Sequence, residues 1–182
     1  AGDAWRPQPS EGGHTSFSPQ TPLEDALLAH LRGKFGGHVS VERVLSGPGL
    51  VNIYEFLRDN GHGEEFDWMA ARMEVEEAPR VIVELALERR APLCELALEM
   101  FVSIYGAEAG NLALTAMATG GVFIGGGLAV AILRALQQPA FLQGFLGKGR
   151  MRPLLEQMPV KVITEPRAPL FGAAFLAERL AQ

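Results

Sequence analysis

Apolar positions recur at intervals of three and four over most of this chain, with glycine and proline marking the breaks. Thr21-Pro22-Leu23-Glu24 has the form of a helix start: a hydroxyl that can cap, a proline suited to the first helical position, and a Glu three residues after the cap. The helix is expected to run to Arg32 on the stripe Leu23, Ala26, Leu27 and Leu31, and to end at Gly33 and Gly36-Gly37. Val39, Val41 and Val44-Leu45 suit a strand over 39–45. Ser46-Gly47-Pro48-Gly49 then turns the chain into a helix from Leu50 to Arg58. Residues 59–78 read as a variable loop or insert with one helical turn, because Asn60 to Glu76 is polar and acidic. Helices are expected over Glu77–Arg90 and Pro92–Met117, the second buried along Leu93, Leu96, Ala97, Met100, Phe101, Ile104, Ala107 and Leu112. From there the pattern alternates. A short strand over 120–124 leads through Gly125-Gly126-Gly127 into helix 128–136 and helical pieces over 138–146 and 151–157. A strand over 160–164 and a closing helix over 169–180 follow. Helix–strand–helix–strand–helix order predicts an α/β domain with parallel strands. Ala4–Pro9 is a further candidate strand.

Composition narrows the class. With 48% hydrophobic and 20% charged residues over 182 positions, the chain has the makings of one packed domain and not of a disordered one. A net charge of -5 gives no general attraction for nucleic acid or anionic membranes. Cys94 is the single cysteine, so there is no internal disulfide and no cysteine zinc cage, which fits a reducing cytoplasm. Ala1 to Ser10 has no apolar signal-peptide core. The most apolar stretch, 111–136, is interrupted by five glycines and reads as buried core rather than a membrane span. Cys94, among apolar helix neighbours, also reads as core.

Two constellations carry candidate chemistry. Glu11-Gly12-Gly13-His14 lacks a third metal ligand, and its glycines oppose a helical metal site. A carboxylate and an imidazole there either converge on a small polar ligand or decorate a surface turn. Gly125-Gly126-Gly127 lies between a strand and a helix, where α/β proteins let nucleotides approach the backbone. The dinucleotide fingerprint fails at Val130, and Gly147-Lys148-Gly149 is not a Walker A loop. Nucleotide binding and plain close packing both remain open for the triple glycine.

Three segments in order resemble the bacterial glucokinase family. They are Glu11-Gly12-Gly13-His14 followed by Phe17 and Pro19, then Val41-Glu42-Arg43-Val44-Leu45-Ser46-Gly47-Pro48-Gly49-Leu50-Val51-Asn52, then Gly110-Asn111-Leu112-Ala113-Leu114 leading into Gly120 to Gly127. Pro169-Leu170-Phe171-Gly172 onward is similar to that family's final helix, and only Asn60 to Glu76 falls outside the likeness. The resemblance implies the hexokinase–actin–Hsp70 superfold, two α/β domains around a cleft, and transfer of the terminal phosphate of ATP to the 6-hydroxyl of glucose with Mg2+. It implies that Glu11, His14 and Glu42 hold glucose, and that Gly125, Gly126 and Gly127 lie against adenosine.

The family also has a phosphate loop with an Asp, an Asn-Asp pair whose Asp is the general base, and a Gly-Thr-Gly turn. None of these occurs in this sequence; Asp3 and Asp25 stand in no such context. The chain is therefore expected to correspond to the C-terminal ribonuclease-H-like domain of a two-domain sugar kinase, without its first strands. By itself it has no catalytic base and no metal ligand, and is expected to be inactive. It is expected to associate as a homodimer or with the N-terminal portion, and to bind no nucleic acid and no membrane. The alternatives are another hexose kinase of the same superfold, which would alter the sugar trio, and a non-catalytic sugar-sensing domain.

Overall fold

The computed structural model describes residues 8–180. The candidate strand over Ala4–Pro9 lies mostly outside these residues, and Gln8 and Pro9 carry no strand. Among the described residues ten helices and two strands follow in order: α1 (Pro22–Phe35), α2 (Gly47–Asp59), α3 (Asp67–Val75), α4 (Ala78–Leu87), α5 (Pro92–Ala116), β1 (Val122–Ile124), α6 (Gly127–Ala131), α7 (Leu133–Leu136), α8 (Pro139–Leu146), α9 (Arg152–Leu155), β2 (Val160–Val162) and α10 (Ala168–Leu180). Single 3₁₀ turns occupy Gly12–His14, Val41–Arg43 and Gly149–Met151.

The core is built around α5. Its buried residues include Leu93, Ala97, Phe101, Ile104, Gly106 and Gly110, which lie on more than one face of the helix. α2, α4, α8 and α9 all pack against it. The α5–α8 crossing is closest, and glycine makes it possible. A Cβ on Gly106 would lie 2.0 Å from the Phe141 carbonyl oxygen, and one on Gly144 would lie 2.2 Å from the Ser103 carbonyl oxygen. Gly110 is as constrained, its Cβ position being 2.6 Å from the Phe145 carbonyl oxygen. Here one backbone lies on another and no side chain fits between them.

The helix start at Thr21 has the form the sequence predicts: Pro22 opens α1 and the Thr21 hydroxyl accepts the Glu24 N–H. The Glu24 carboxylate reaches back one residue further than a capping box, accepting the Gln20 N–H at 2.7 Å. Gly33 lies inside α1, which ends at Gly36 in a left-handed conformation (φ 72°). Of the expected stripe, Leu27 and Leu31 are fully buried, Leu23 is half-buried and Ala26 is exposed.

β1 and β2 pair in parallel, Val122 with Val160 and Ile124 with Val162, as the alternating tail requires. Among the described residues the sheet has these two strands. Helix 128–136 is divided into α6 and α7 at Ile132, whose φ of -99° and ψ of 16° interrupt the turn.

Two expectations are corrected. The strand over 39–45 does not form. One antiparallel bridge joins Ser16 to Ser40, after which Val41–Arg43 turns as 3₁₀. The carbonyls of Glu42 and Arg43, which a ladder would have paired, accept side-chain donors from Ser46 and Asn52 instead. The loop over 59–78 contains a nine-residue helix, α3. Its helicity depends on tertiary contacts. Met69 is fully buried, and Arg72 bridges Glu76 on the next turn and Glu84 on α4. Cys94 is buried, as its neighbours predict, and burial pushes its thiol pKa up to about 12.

Replacing Gly106 or Gly144 with Ala is expected to cost on the order of 1–3 kcal/mol, because backbone must move to admit the methyl. Gly33→Ala, on an exposed turn of α1 with nothing within 4 Å of the new atom, is expected to stabilise by about 0.5–1 kcal/mol. Urea unfolding of the three variants beside the parent measures both signs.

Candidate functional site

The Glu11–His14 segment is a 3₁₀ turn closed by its own groups. The His14 N–H donates to the Glu11 carbonyl, and the Thr15 hydroxyl donates to the Gly12 carbonyl at 2.7 Å. Neither Gly12 nor Gly13 adopts positive φ. A Cβ on Gly13 would stand 3.9 Å from the Glu42 Cβ, so this turn lies against the Glu42 loop. Two backbone bonds fasten the segments together: Phe17 N–H to the Val39 carbonyl and Val41 N–H to the Thr15 carbonyl, both 2.9 Å. Phe17 and Val39 are buried beneath them.

The second loop is set by α2. Ser46 caps that helix, accepting the Gly49 N–H at 3.0 Å. A Cβ on Gly49 would come within 2.5 Å of the Val44 carbonyl, so the Val44 peptide lies directly on the first turn of the helix. His14 Nε2 and Glu42 Oε2 consequently lie 3.6 Å apart, although 28 positions separate them in sequence. They line a cleft of about 310 Å³ together with His38, Ser40, Arg43 and Asn52. Both side chains are largely exposed, His14 at 67% and Glu42 at 60%, so their polar tips are free to meet a ligand. Glu11 lies one 3₁₀ turn before His14 and is not part of the cleft lining.

Sequence reasoning passed over four cleft residues. Arg43 stacks over the Phe35 ring at 4.2 Å, His38 shares a 3.2 Å hydrogen bond with the Ser16 hydroxyl, and Ser40 is buried. Asn52 is a buried amide near the start of α2. A polar side chain between Leu50 and Ile53, which are both fully buried, was the available signal.

Beneath the loops, Glu24 is 3% exposed. Burial pushes its carboxyl pKa up, against the lowering effect of the Gln20 N–H, the Thr21 side chain and the Lys148 charge. Lys148, half-buried, donates to Asn111 Oδ1 at 2.7 Å, and Asn111 donates to Glu108. Burial holds the Lys148 ammonium below its ordinary value.

Gly125, Gly126 and Gly127 connect β1 to α6 and are exposed. Gly126 has φ 104°. A Cβ on Gly126 or Gly127 would meet nothing within 4 Å, and one on Gly125 would make ordinary contact with Ile163 at 3.7 Å. Close packing within the chain therefore does not account for the triple glycine. This turn does not line the His14–Glu42 cleft. Among the described residues no three His, Cys, Asp or Glu side chains gather as a metal site, and no helix is long and apolar enough to cross a membrane.

These features define a mixed α/β domain with an open polar cleft on one pair of loops and a bare glycine turn at a strand end. A family model described as Glucokinase matches residues 1–180. The chain is 44% identical to a glucokinase of Nostoc punctiforme, covering 98% of this chain and 56% of that protein. It is 41% identical to one of Photorhabdus laumondii, covering 97% and 52%. The crystal structure of a glucokinase from an Antarctic psychrotroph superposes with a TM-score of 0.75 at 35% identity, over 91% of this chain and 48% of that one. The chain belongs to the glucokinase family. It spans about half the length of the curated relatives it matches.

The buried Glu24 carboxyl gives a pH prediction. Its folded pKa lies above the ordinary carboxylate value of 4.5. The folded state therefore keeps a proton that the unfolded chain releases, and stability falls as pH rises from about that value through the raised one. In Glu24→Gln this contribution is absent. Urea unfolding from pH 4 upward is expected to show a smaller loss of stability in the variant than in the parent.

Proposed function

We propose that this chain is the sugar-binding half of an ATP-dependent glucokinase, corresponding to the C-terminal ribonuclease-H-like domain of a two-domain kinase. The observation that carries the reading is the approach of His14 to Glu42 in an open polar cleft, formed by two segments that are far apart in the chain. Glucose presents several hydroxyls, each able to donate and accept. An ionised carboxylate accepts from them, and an imidazole offers one donor and one acceptor nitrogen. Glu42 and His14 would hold adjacent hydroxyls from one side, with Glu11 joining them on the rim. Fixing the sugar in this way leaves its 6-hydroxyl to be aligned with the terminal phosphate of ATP. In phosphoryl transfer, such positioning and the stabilisation of charge supply most of the rate.

Gly125, Gly126 and Gly127 would receive the adenosine. Their open backbone supports this, as does the cavity of about 360 Å³ beside them lined by Ile124, Leu136, Phe141, Val160 and Val162. The described residues do not fit a dedicated cation cage. Mg2+ would accompany the ATP phosphates, where it supplies charge neutralisation. The base and the phosphate loops of the family have no counterpart in this sequence, so the complete reaction would need groups supplied from outside these 182 residues, and the setting proposed for it is the cytoplasm. Association with an N-terminal portion, or with a second copy, is supported by α10, where Leu170, Phe171 and Phe175 are all exposed.

Three outcomes test this. In the intact kinase, Glu42→Gln should weaken glucose binding by roughly 1–3 kcal/mol, the scale for removing one partner of a polar contact; an unchanged KM for glucose would refute the sugar site. Gly127→Ala should leave the melting temperature near that of the parent while raising the KM for ATP. The 182-residue chain alone, in a coupled assay with ATP, Mg2+ and glucose, should show no turnover above background. Rates within the ordinary enzyme range of ~1–10³ per second would contradict the assignment of the missing base.

A further inference from the structure

Glu42 reaches the cleft on an exposed side chain whose carboxylate stands 3.6 Å from His14 Nε2, beyond a close hydrogen bond. Its aim is therefore inherited from the backbone, and the backbone here belongs to a single 3₁₀ turn, which cannot hold itself rigid. Two successive carbonyls of this turn are held by side chains from the next element. The Ser46 hydroxyl donates to the Glu42 carbonyl at 2.7 Å, and Asn52 Nδ2 donates to the Arg43 carbonyl at 2.8 Å.

Asn52 is the more constrained of the two. It lies on α2, buried, at the base of the cleft. Its Oδ1 accepts Lys34 Nζ from α1 at 2.8 Å, and Lys34 also pairs with Glu55. An ammonium only donates and a carbonyl only accepts, so each end of the amide has one permitted partner and a flip would break both bonds. The amide thus ties α1, α2 and the Glu42 loop to one geometry.

We infer that Asn52 is a positioning residue for the sugar site: by holding the Arg43 carbonyl it fixes the direction in which Glu42 leaves the backbone. This rests on the reading of Glu42 as a glucose ligand. Asn52→Asp keeps the shape and the Lys34 contact but sets an acceptor oxygen against the Arg43 carbonyl, which turns an attraction into a repulsion.

The test is a mutant cycle in the intact kinase with Glu42→Gln, Asn52→Asp and the double variant, read as KM for glucose, KM for ATP and kcat. The expected result is a glucose KM raised severalfold in Asn52→Asp, no further than in Glu42→Gln, with the ATP KM within twofold of the parent. The double variant should have a glucose KM within threefold of Glu42→Gln alone, because a residue that acts through Glu42 has nothing left to act on. Multiplicative effects, or equal losses for both substrates, would overturn the inference, since a purely structural role predicts them. Should Asn52→Asp fail to fold, Lys34→Met carries the same cycle. That change, at a partly exposed site, frees the Asn52 oxygen and is expected to raise the glucose KM severalfold only where Glu42 is present; no change in the glucose KM would overturn the inference. If Glu42→Gln leaves the glucose KM unchanged, the sugar-site reading itself falls, and the positioning role with it. If Glu42→Gln raises it and neither neighbouring variant does, only the positioning role is lost.

Discussion

The contact on which the rest of the structure depends is the glycine-mediated crossing of α5 and α8. Gly106 and Gly144 let one helix backbone rest on the other at distances where a methyl would overlap carbonyl oxygen. The stacked Phe141 and Phe145 rings and the edge-on Tyr105–Phe141 pair fill the space beside it. Because α5 is buried on several faces, a shift of this crossing would be felt by α2 and α4, which pack on the same helix. Dense packing transmits such shifts instead of absorbing them. α2 carries Ser46 and Asn52, and through them the Glu42 loop. The position of a cleft carboxylate is thus set partly by a helix crossing elsewhere in the core.

A second set of constraints is polar. Lys148 follows α8 and bonds Asn111 near the end of α5, and Gly110 permits the approach: a Cβ there would lie 3.0 Å from Lys148 Cε. Lys148 also lowers the cost of ionising Glu24, whose carboxylate holds the Gln20 N–H at the start of α1. Glu24 and Asn111 flank Phe17 and Val41, the residues underneath the two cleft loops. Buried ionisable groups are costly unless paired. Here Glu24 and Lys148 sit close enough to influence each other, and every fully buried side-chain polar atom among the described residues has a hydrogen-bond partner.

Apolar surface is exposed in the C-terminal part of the chain. α10 exposes Leu170, Phe171 and Phe175, and Phe123 and Ile163 are exposed on and beside the two-stranded sheet. Arg167 and Arg179 lie over Phe171 and Phe175 and cover part of the aromatic surface. Apolar area of this kind is what the association proposed above would cover.

Much of the fold was legible in the sequence because it is written in local chemistry. Thr21 and Pro22 supply the cap and the first residue of α1, and Gly36 ends it in a left-handed conformation. The length of α5 and the burial of Leu93, Ala97, Met100, Phe101, Ile104 and Ala107 follow from its apolar periodicity, although Leu112, expected on the same stripe, is exposed, and the parallel pairing of β1 with β2 follows from the alternation of elements. The residues of Glu11–His14 and Gly125–Gly127 marked them as candidates but left a surface turn or plain packing open, and Glu42 was singled out only by the resemblance to the glucokinase family. What tertiary structure alone decided lies where long-range contacts override local pattern. α3 is helical because Met69 finds a core and Arg72 finds Glu84, neither of which a polar stretch discloses. The Val39–Leu45 segment alternates like a strand, yet it turns, because Ser46 and Asn52 take the carbonyls that a neighbouring strand would have bonded. The glycines divide in the same way. Gly106 and Gly144 exist for a crossing and Gly127 faces open space, and a residue without a side chain gives no local sign of which neighbour, if any, required its absence.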